Sequence, residues 1–213
     1  MHPYLGNAMT TQTQPALFVP HGAPTFALNP GAAGAALSRF AAGLARPRAI
    51  IVVSAHWETD VATVGVASRL DTLHDFSGFP RELYEIRYPA TGCPEAAREV
   101  AATIAVAGIP VALDASRGLD HGAWSVVKHL YPNADVPVIQ MSIDYSLKPE
   151  QHYALAKEIA RLRDKGVLII GSGNMVHNLG LVAWDKLNQS YAFDWAVEAR
   201  ARMNQAILSG DHA

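Results

Sequence analysis

A chain of 213 residues with 50% apolar and 17% charged side chains has the length and balance of one large α/β domain with a substantial buried core, and lies far from the composition of a disordered protein. Seventeen basic against nineteen acidic residues give a formal charge of −2, with no Lys/Arg-dense stripe of the kind that neutralises a phosphate backbone, so nucleic acid is set aside as a partner. The longest apolar runs, AIIVV from Ala49 and VLII from Val167, fall far short of the roughly 20 residues that cross a bilayer, so no membrane partner is expected and the runs read as buried strands.

In chain order, residues 1–14 (MHPYLGNAMTTQTQ) lack the basic-then-apolar pattern of a secretory signal and read as a flexible lead-in, within which Met9 is an alternative start. Residues 15–213 read as one domain. Short β-branched runs at Ala16–Val19, Ile50–Ser54, Val61–Val66, Pro110–Leu113, Val136–Ser142 and Val167–Ile170 are strand candidates, most of them apolar throughout. Between them lie helix candidates at Ala32–Leu44, Pro94–Ala107, Gly122–Tyr131, Pro149–Lys165 and Tyr191–Leu208, several with Pro in the first turn. This alternation predicts a single α/β domain whose largely parallel or mixed central sheet is flanked by helices. Arg69–Gly92 has mixed periodicity and no clear core face, and reads as a long functional loop. Cys93 is the single cysteine; no intramolecular disulfide is possible, and a reducing cytoplasm is the compartment that fits.

Three histidines leave predicted strands directly: His21 in LFVPHGAPT, His56 in IIVVSAHWET and His177 in LIIGSGNMVHNL. Ligands of open α/β sheets bind beyond the carboxyl ends of strands, so these imidazoles are expected to converge. Any one alone reads as a hydrogen-bonded structural histidine. Together they match the roughly three ligands of a catalytic metal site that leaves positions open for water or substrate. His121 opens a helix in RGLDHGAWSVVKHL, with Asp120 as N-cap. A helix N-terminus disfavours imidazolium, which suits a general base or a donor to substrate; capping and packing under Trp124 is the plainer alternative. His129 reads as a surface residue. Glu58 is a candidate carboxylate near the metal, with a solvated role as the alternative. GSGNMVHN lacks the lysine and spacing of a phosphate loop, so its glycines read as room for close backbone approach.

The segments PHGAP, SAHWE, HDFSGFPRELYEIRYPA, GLDHGAW and GSGNMVHNL, in that order between Phe18 and Leu179, resemble the DODA-type branch of the class III extradiol ring-cleaving dioxygenases, within the LigB-like superfamily. The resemblance implies a three-layer α/β fold and a mononuclear non-haem metal, Fe(II) for activity, with Zn(II) able to occupy the same site. It implies His21 and His56 as metal ligands, His177 as either a ligand or the acid/base histidine, and His121 as a histidine beside the metal that contacts substrate. Catechol and O₂ are the implied reactants. Phe76, Phe79 and Tyr84 are expected to line a pocket, with packing alone as an equal account of them, and Arg87 to hold a substrate carboxylate. The branch carries a further ligand near its C-terminus; His212, in LSGDHA, reads as the stretch before it. A homodimer is the expected assembly. Two rivals stay open: a zinc hydrolase on the same histidines, and a non-enzymatic binding protein of the mediator-of-motility type.

Overall fold

In a computed structural model that describes residues 12–186 and 189–210, six strands form one sheet in the order β1-β6-β2-β5-β3-β4. They are β1 (Ala16–Val19), β2 (Ala49–Thr59), β3 (Thr63–Gly65), β4 (Ala112–Asp114), β5 (Val138–Asp144) and β6 (Val167–Ser172). All neighbours run parallel except β3 and β5, whose pairing through Val64 and Met141 is antiparallel. The sheet is therefore mixed, as one of the two expected arrangements had it. The described residues divide into two compact units that part between Gly173 and Asn174, and all six strands belong to the first.

Strand alternation decides the layers. In β2, Ile50 and Val52 face one side and Ala49 and Ile51 the other, and none of the four is exposed. Ile50 and Val52 join Leu168, Ile170 and Val138 in a core beneath α1 (Gly31–Ala42) and α4 (His121–Leu130), which contributes Trp124, Val126 and Val127. Ala49 and Ile51 join Ile169, Ile139 and Met141 in a second core, with Val100 and Ile104 of α3 (Pro94–Val106) and Leu155 and Ile159 of α5 (Pro149–Ala160). A strand buried on both faces has no polar positions to alternate, which is why it shows in sequence as an unbroken apolar run.

Several expected boundaries shift. β2 runs five residues past Ser54, through a bulge: the four residues between Val53 and Glu58 lie opposite the single residue between Met141 and Ile143 on β5. Such a break in pairing re-aims side chains, and His56 lies inside it. The helix expected over Pro149–Lys165 is α-helical to Ala160 and tightens into a 3₁₀ turn over Arg161–Lys165, closed by left-handed Gly166. Arg69–Gly92 is not loop throughout: α2 (Arg81–Glu85) interrupts it, and Leu70, Leu83, Tyr88 and Ala90 are buried in the core, a face that its periodicity hid because they are held by non-repeating bridges such as Thr72 to Leu119. His129 is half-buried rather than on the surface, its Nε2 3.1 Å from the carbonyl of Phe26. Gln14, at the end of the expected lead-in, is buried and bonds through its main chain to Arg163 and its side chain to Ala45; residues 1–11 and His212 lie outside the described residues.

The second unit holds two 3₁₀ turns, Leu179–Leu181 and Trp184–Lys186, and α6 (Asp194–Ser209). Among the described residues no helix is long and apolar enough to cross a membrane.

Candidate metal centre

Parallel strands end at the same edge of a sheet, and the register makes this concrete: Ser172 pairs with Val19 on one side and with Ser54 on the other. His21 follows β1 by two residues and His56 follows Ser54 by two. Into this crevice α4 points its N-terminus, with Asp120 as N-cap accepting from the Ala123 amide at 3.1 Å and His121 as first helical residue.

Three imidazoles meet there. The ligand nitrogens of His21, His56 and His121 all lie within 4.8 Å of one another, and His21 Nε2 is 2.9 Å from His56 Nε2. The His21 and His121 residues are buried, at 2% and 5% exposed. Two nitrogens each about 2.1 Å from one metal ion sit about 3 Å apart at a right angle, so the spacing fits a shared cation. Two carboxylate and hydroxyl partners stand behind the rings. Asp75 accepts from the His121 main-chain N–H at 2.9 Å and lies 3.0 Å from its Nδ1, while its other oxygen is 3.9 Å from His56 Nδ1. Burial alone would raise the Asp75 carboxyl, but the hydrogen bonds it accepts from the His121 ring and main chain outweigh this and lower it to about 2. Asp75 is therefore ionised and can only accept, so the His121 Nδ1 carries a proton. A donor set of imidazoles with a carboxylate behind them can take either Zn²⁺ or Fe²⁺.

A buried polar layer supports the rings from below. Ser54 Oγ donates to Asp120 Oδ1 at 2.7 Å and accepts from the His56 amide at 3.2 Å. The Asp120 carboxylate, fully buried, also accepts from the Gln140 amide group and has Arg117 at 3.5 Å, so its charge is compensated. Arg117 in turn lies over Trp57, 5.1 Å from the ring centroid. Gly122 packs directly against this layer: a Cβ there would meet Ser54 Oγ at 2.5 Å, His56 Cδ2 at 3.0 Å and His21 Cε1 at 3.1 Å.

Beside the imidazoles stands an aromatic wall. Phe76 presents its ring edge-on to His121, at 5.6 Å between centroids, and packs on Phe79 at 5.4 Å and Tyr84 at 5.2 Å. Arg87 donates to the carbonyls of Tyr84 and Ile86 at 2.7 and 2.8 Å. Glu58 points to solvent, the second of its two expected roles. The carboxylate at the imidazoles is Asp75, in the HDFSGFP segment.

The geometry joins a comparison of sequences. The profile described as the catalytic LigB subunit of aromatic ring-opening dioxygenase matches residues 19–195. The chain belongs to the LigB family. Among curated relatives, the 4,5-DOPA dioxygenase extradiol of Escherichia coli (strain K12) is 41% identical over 88% of this chain and 68% of its own. The protein of the same name from Beta vulgaris is 48% identical over 62% of this chain, and the chain spans only half, 50%, of that relative. A solved structure, an uncharacterized protein from Escherichia coli K12, superposes with a TM-score of 0.70 at 36% identity, covering 87% of this chain and 69% of that one. The likeness carries the three-layer LigB fold with it.

Of the histidines singled out in the sequence, the structure brings together His21, His56 and His121. His177 falls in the second unit, exposed, on the stretch after β6. Asp75, Ser54, Gln140, Ser172 and Gly122 escaped the sequence reading as site residues. Asp75, Ser54, Gly122 and Ser172 all lie in the segments quoted above, the first beside His74 and the next two within two residues of His56 and His121; Gln140 alone lies outside them.

Proposed function

We propose that this LigB-family chain is a metal-dependent extradiol dioxygenase that opens a catechol ring with O₂, breaking the carbon–carbon bond beside the two hydroxyls to give a ring-opened semialdehyde. The convergence of His21 after β1, His56 in the bulge of β2 and His121 at the start of α4 is the observation that carries this reading. The names of the relatives put L-DOPA first among substrates to try.

His21 and His56 would hold the metal. His177 is the third ligand or the acid/base partner, the two roles that the family resemblance gives it. Ferrous iron, when bound, supplies the Lewis acidity and electron transfer that dioxygen chemistry on a catechol needs; Zn²⁺ binds such a site more tightly by the usual divalent order and supplies only the first. The rest falls to the chain's own side chains. His121, with its Nδ1 proton held by Asp75, is placed to take a phenolic proton at Nε2, and the Asp75 charge stabilises the imidazolium that results. Phe76, packed edge-on against His121, offers an apolar face for the ring and keeps water from the base. The buried Ser54–Asp120–Gln140 layer holds His56 and the start of α4 at their spacing, which is what proximity catalysis requires.

The test is anaerobic loading with Fe(II), then air together with L-DOPA or protocatechuate, following oxygen uptake and the yellow ring-opened product. Product from the wild type and none from His56→Ala is the expected result. No product from either catechol, with iron demonstrably bound, would overturn the reading, and hydrolysis of an ester or amide by the zinc-loaded protein would replace it.

A further inference from the structure

We infer that Ser172 fixes the ring proton of His21 on Nδ1 and so leaves Nε2 bare toward His56. The inference deepens the reading of His21 and His56 as metal ligands and rests on it.

Ser172 is the last residue of β6 and is buried. Its Oγ has two neighbours: the Gly122 carbonyl oxygen at 2.6 Å and His21 Nδ1 at 2.9 Å. A hydroxyl carries one hydrogen, and a carbonyl oxygen can only accept. The hydrogen therefore goes to Gly122, and what Oγ offers His21 is a lone pair. Only a protonated Nδ1 completes that contact. A neutral imidazole has a single N–H, so Nε2 is unprotonated.

That nitrogen faces His56 Nε2 across 2.9 Å. With His21 Nε2 as acceptor, the contact is a hydrogen bond donated by His56 Nε2–H in the metal-free protein, and a metal ion shared by the two nitrogens would take that proton's place. The arrangement depends on three elements meeting. β1 and β6 are in register at Val19 and Ser172, the Gly173 amide donates to the Val19 carbonyl at 3.2 Å, and α4 brings Gly122 close enough that no Cβ fits there. Ser172 is 151 residues from His21 in the chain. It is a positioning residue: it acts on the metal through the imidazole. Asp75, a different acceptor, holds a proton on His121 Nδ1 by the same logic.

The test needs no turnover. In metal-free protein carrying ¹⁵N-histidine, two-bond ¹H–¹⁵N correlation at about pH 8.5, well above the ordinary histidine value of about 6.5, reads the tautomer directly. The His21 signal is assigned by its loss in His21→Ala. The wild type is expected to show His21 as the Nδ1–H form. Ser172→Ala is expected to shift it toward Nε2–H and to weaken Zn²⁺ binding, measured by competition with a chromophoric chelator, by ~10–100-fold. Ser172→Thr, which restores the hydroxyl, is expected to recover both. Ser54→Ala removes a buried hydroxyl that touches the main chain of His56 rather than a ring, and should leave the His21 tautomer alone. A wild-type His21 in the Nε2–H form, or a Ser172→Ala protein that keeps Nδ1–H, would overturn the inference. The wild-type spectrum decides even if a variant fails to fold. A dioxygenase reading that failed would show instead as absent ring cleavage with the tautomers unchanged.

Discussion

Gly122→Ala is the sharpest test of how the site is assembled. The backbone at Gly122 is ordinary right-handed helix, which alanine adopts freely, so conformational strain contributes nothing and the whole effect is contact. A Cβ would sit 2.5 Å from Ser54 Oγ, and 3.0 and 3.1 Å from carbons of His56 and His21. Against a contact minimum of ~3.5 Å, that leaves the serine about 1 Å too close and the two rings about half an ångström. None of the three can retreat cheaply. Ser54 bonds Asp120 and the His56 amide, and the rings are held at Ser172 and across to each other. Overpacking of this kind costs ~1–3 kcal/mol, offset by up to ~1 kcal/mol of alanine's better helix propensity. A net loss of ~1–2 kcal/mol lowers the unfolding midpoint by roughly 2–8 °C for a chain of this size. The site should suffer more than the fold. Displaced imidazoles weaken Zn²⁺ binding by ~10–100-fold, as loss of a supporting group does, and a shift of half an ångström at the reacting groups lowers kcat by about ten-fold. Thermal unfolding, Zn²⁺ competition and the ring-cleavage assay read these separately. A Gly122→Ala protein with wild-type Zn²⁺ affinity and an unchanged midpoint would refute the packing argument.

Asp75→Asn keeps the shape behind His121 and removes the charge; kcat for ring cleavage is expected to fall ~10–100-fold with KM little changed, and an unaltered kcat would exclude Asp75 as the partner of the base. Trp124→Ala empties a fully buried position whose indole N–H donates to the Leu73 carbonyl at 2.8 Å; urea unfolding should show a loss of ~3–5 kcal/mol. Glu99 accepts from Arg48 at 2.6 Å and Lys165 at 2.7 Å, and these bonds hold its carboxyl below the usual value. A lowered folded pKa means that the stabilisation is complete above the unfolded value, about 4.3, and is lost as the pH falls through the folded one. Glu99→Gln should thus be less stable than wild type by ~0.5–1 kcal/mol at pH 7, solvent screening keeping the figure small. The gap should close on acidification below about pH 5 and narrow in 1 M salt.

How much of this could be read from sequence follows from the range of each interaction. Ala16–Val19 matched its strand to the residue, and Pro94–Val106 its helix to within one, because apolar runs and a first-turn proline are local signals. The N-cap role of Asp120 is equally local, since an N-cap and the amide it caps lie three residues apart. His21, His56 and His121 were legible because each follows an apolar run or opens a helix, and the rule that strands in open α/β sheets end at a common crevice needs only the order of elements. The DODA-type resemblance added the family.

Other features belong to tertiary structure alone. Asp75 meets His121 across 46 residues and Ser172 meets His21 across 151, distances over which no periodicity carries information. Which glycine must stay a glycine was hidden too, because the obstacle at Gly122 is built from β2 and from the loop after β1. Glu58 reads by sequence as either a carboxylate near the metal or a solvated one, and the structure leaves it exposed past the bulge in β2 that holds His56. By itself the sequence determined which elements form and which imidazoles leave them, for those depend on neighbours within a turn or a strand. Only the register of β1, β6 and β2 and the docking of α4 decided which carboxylate and which hydroxyl stand behind each ring, because these contacts exist only once the sheet has closed.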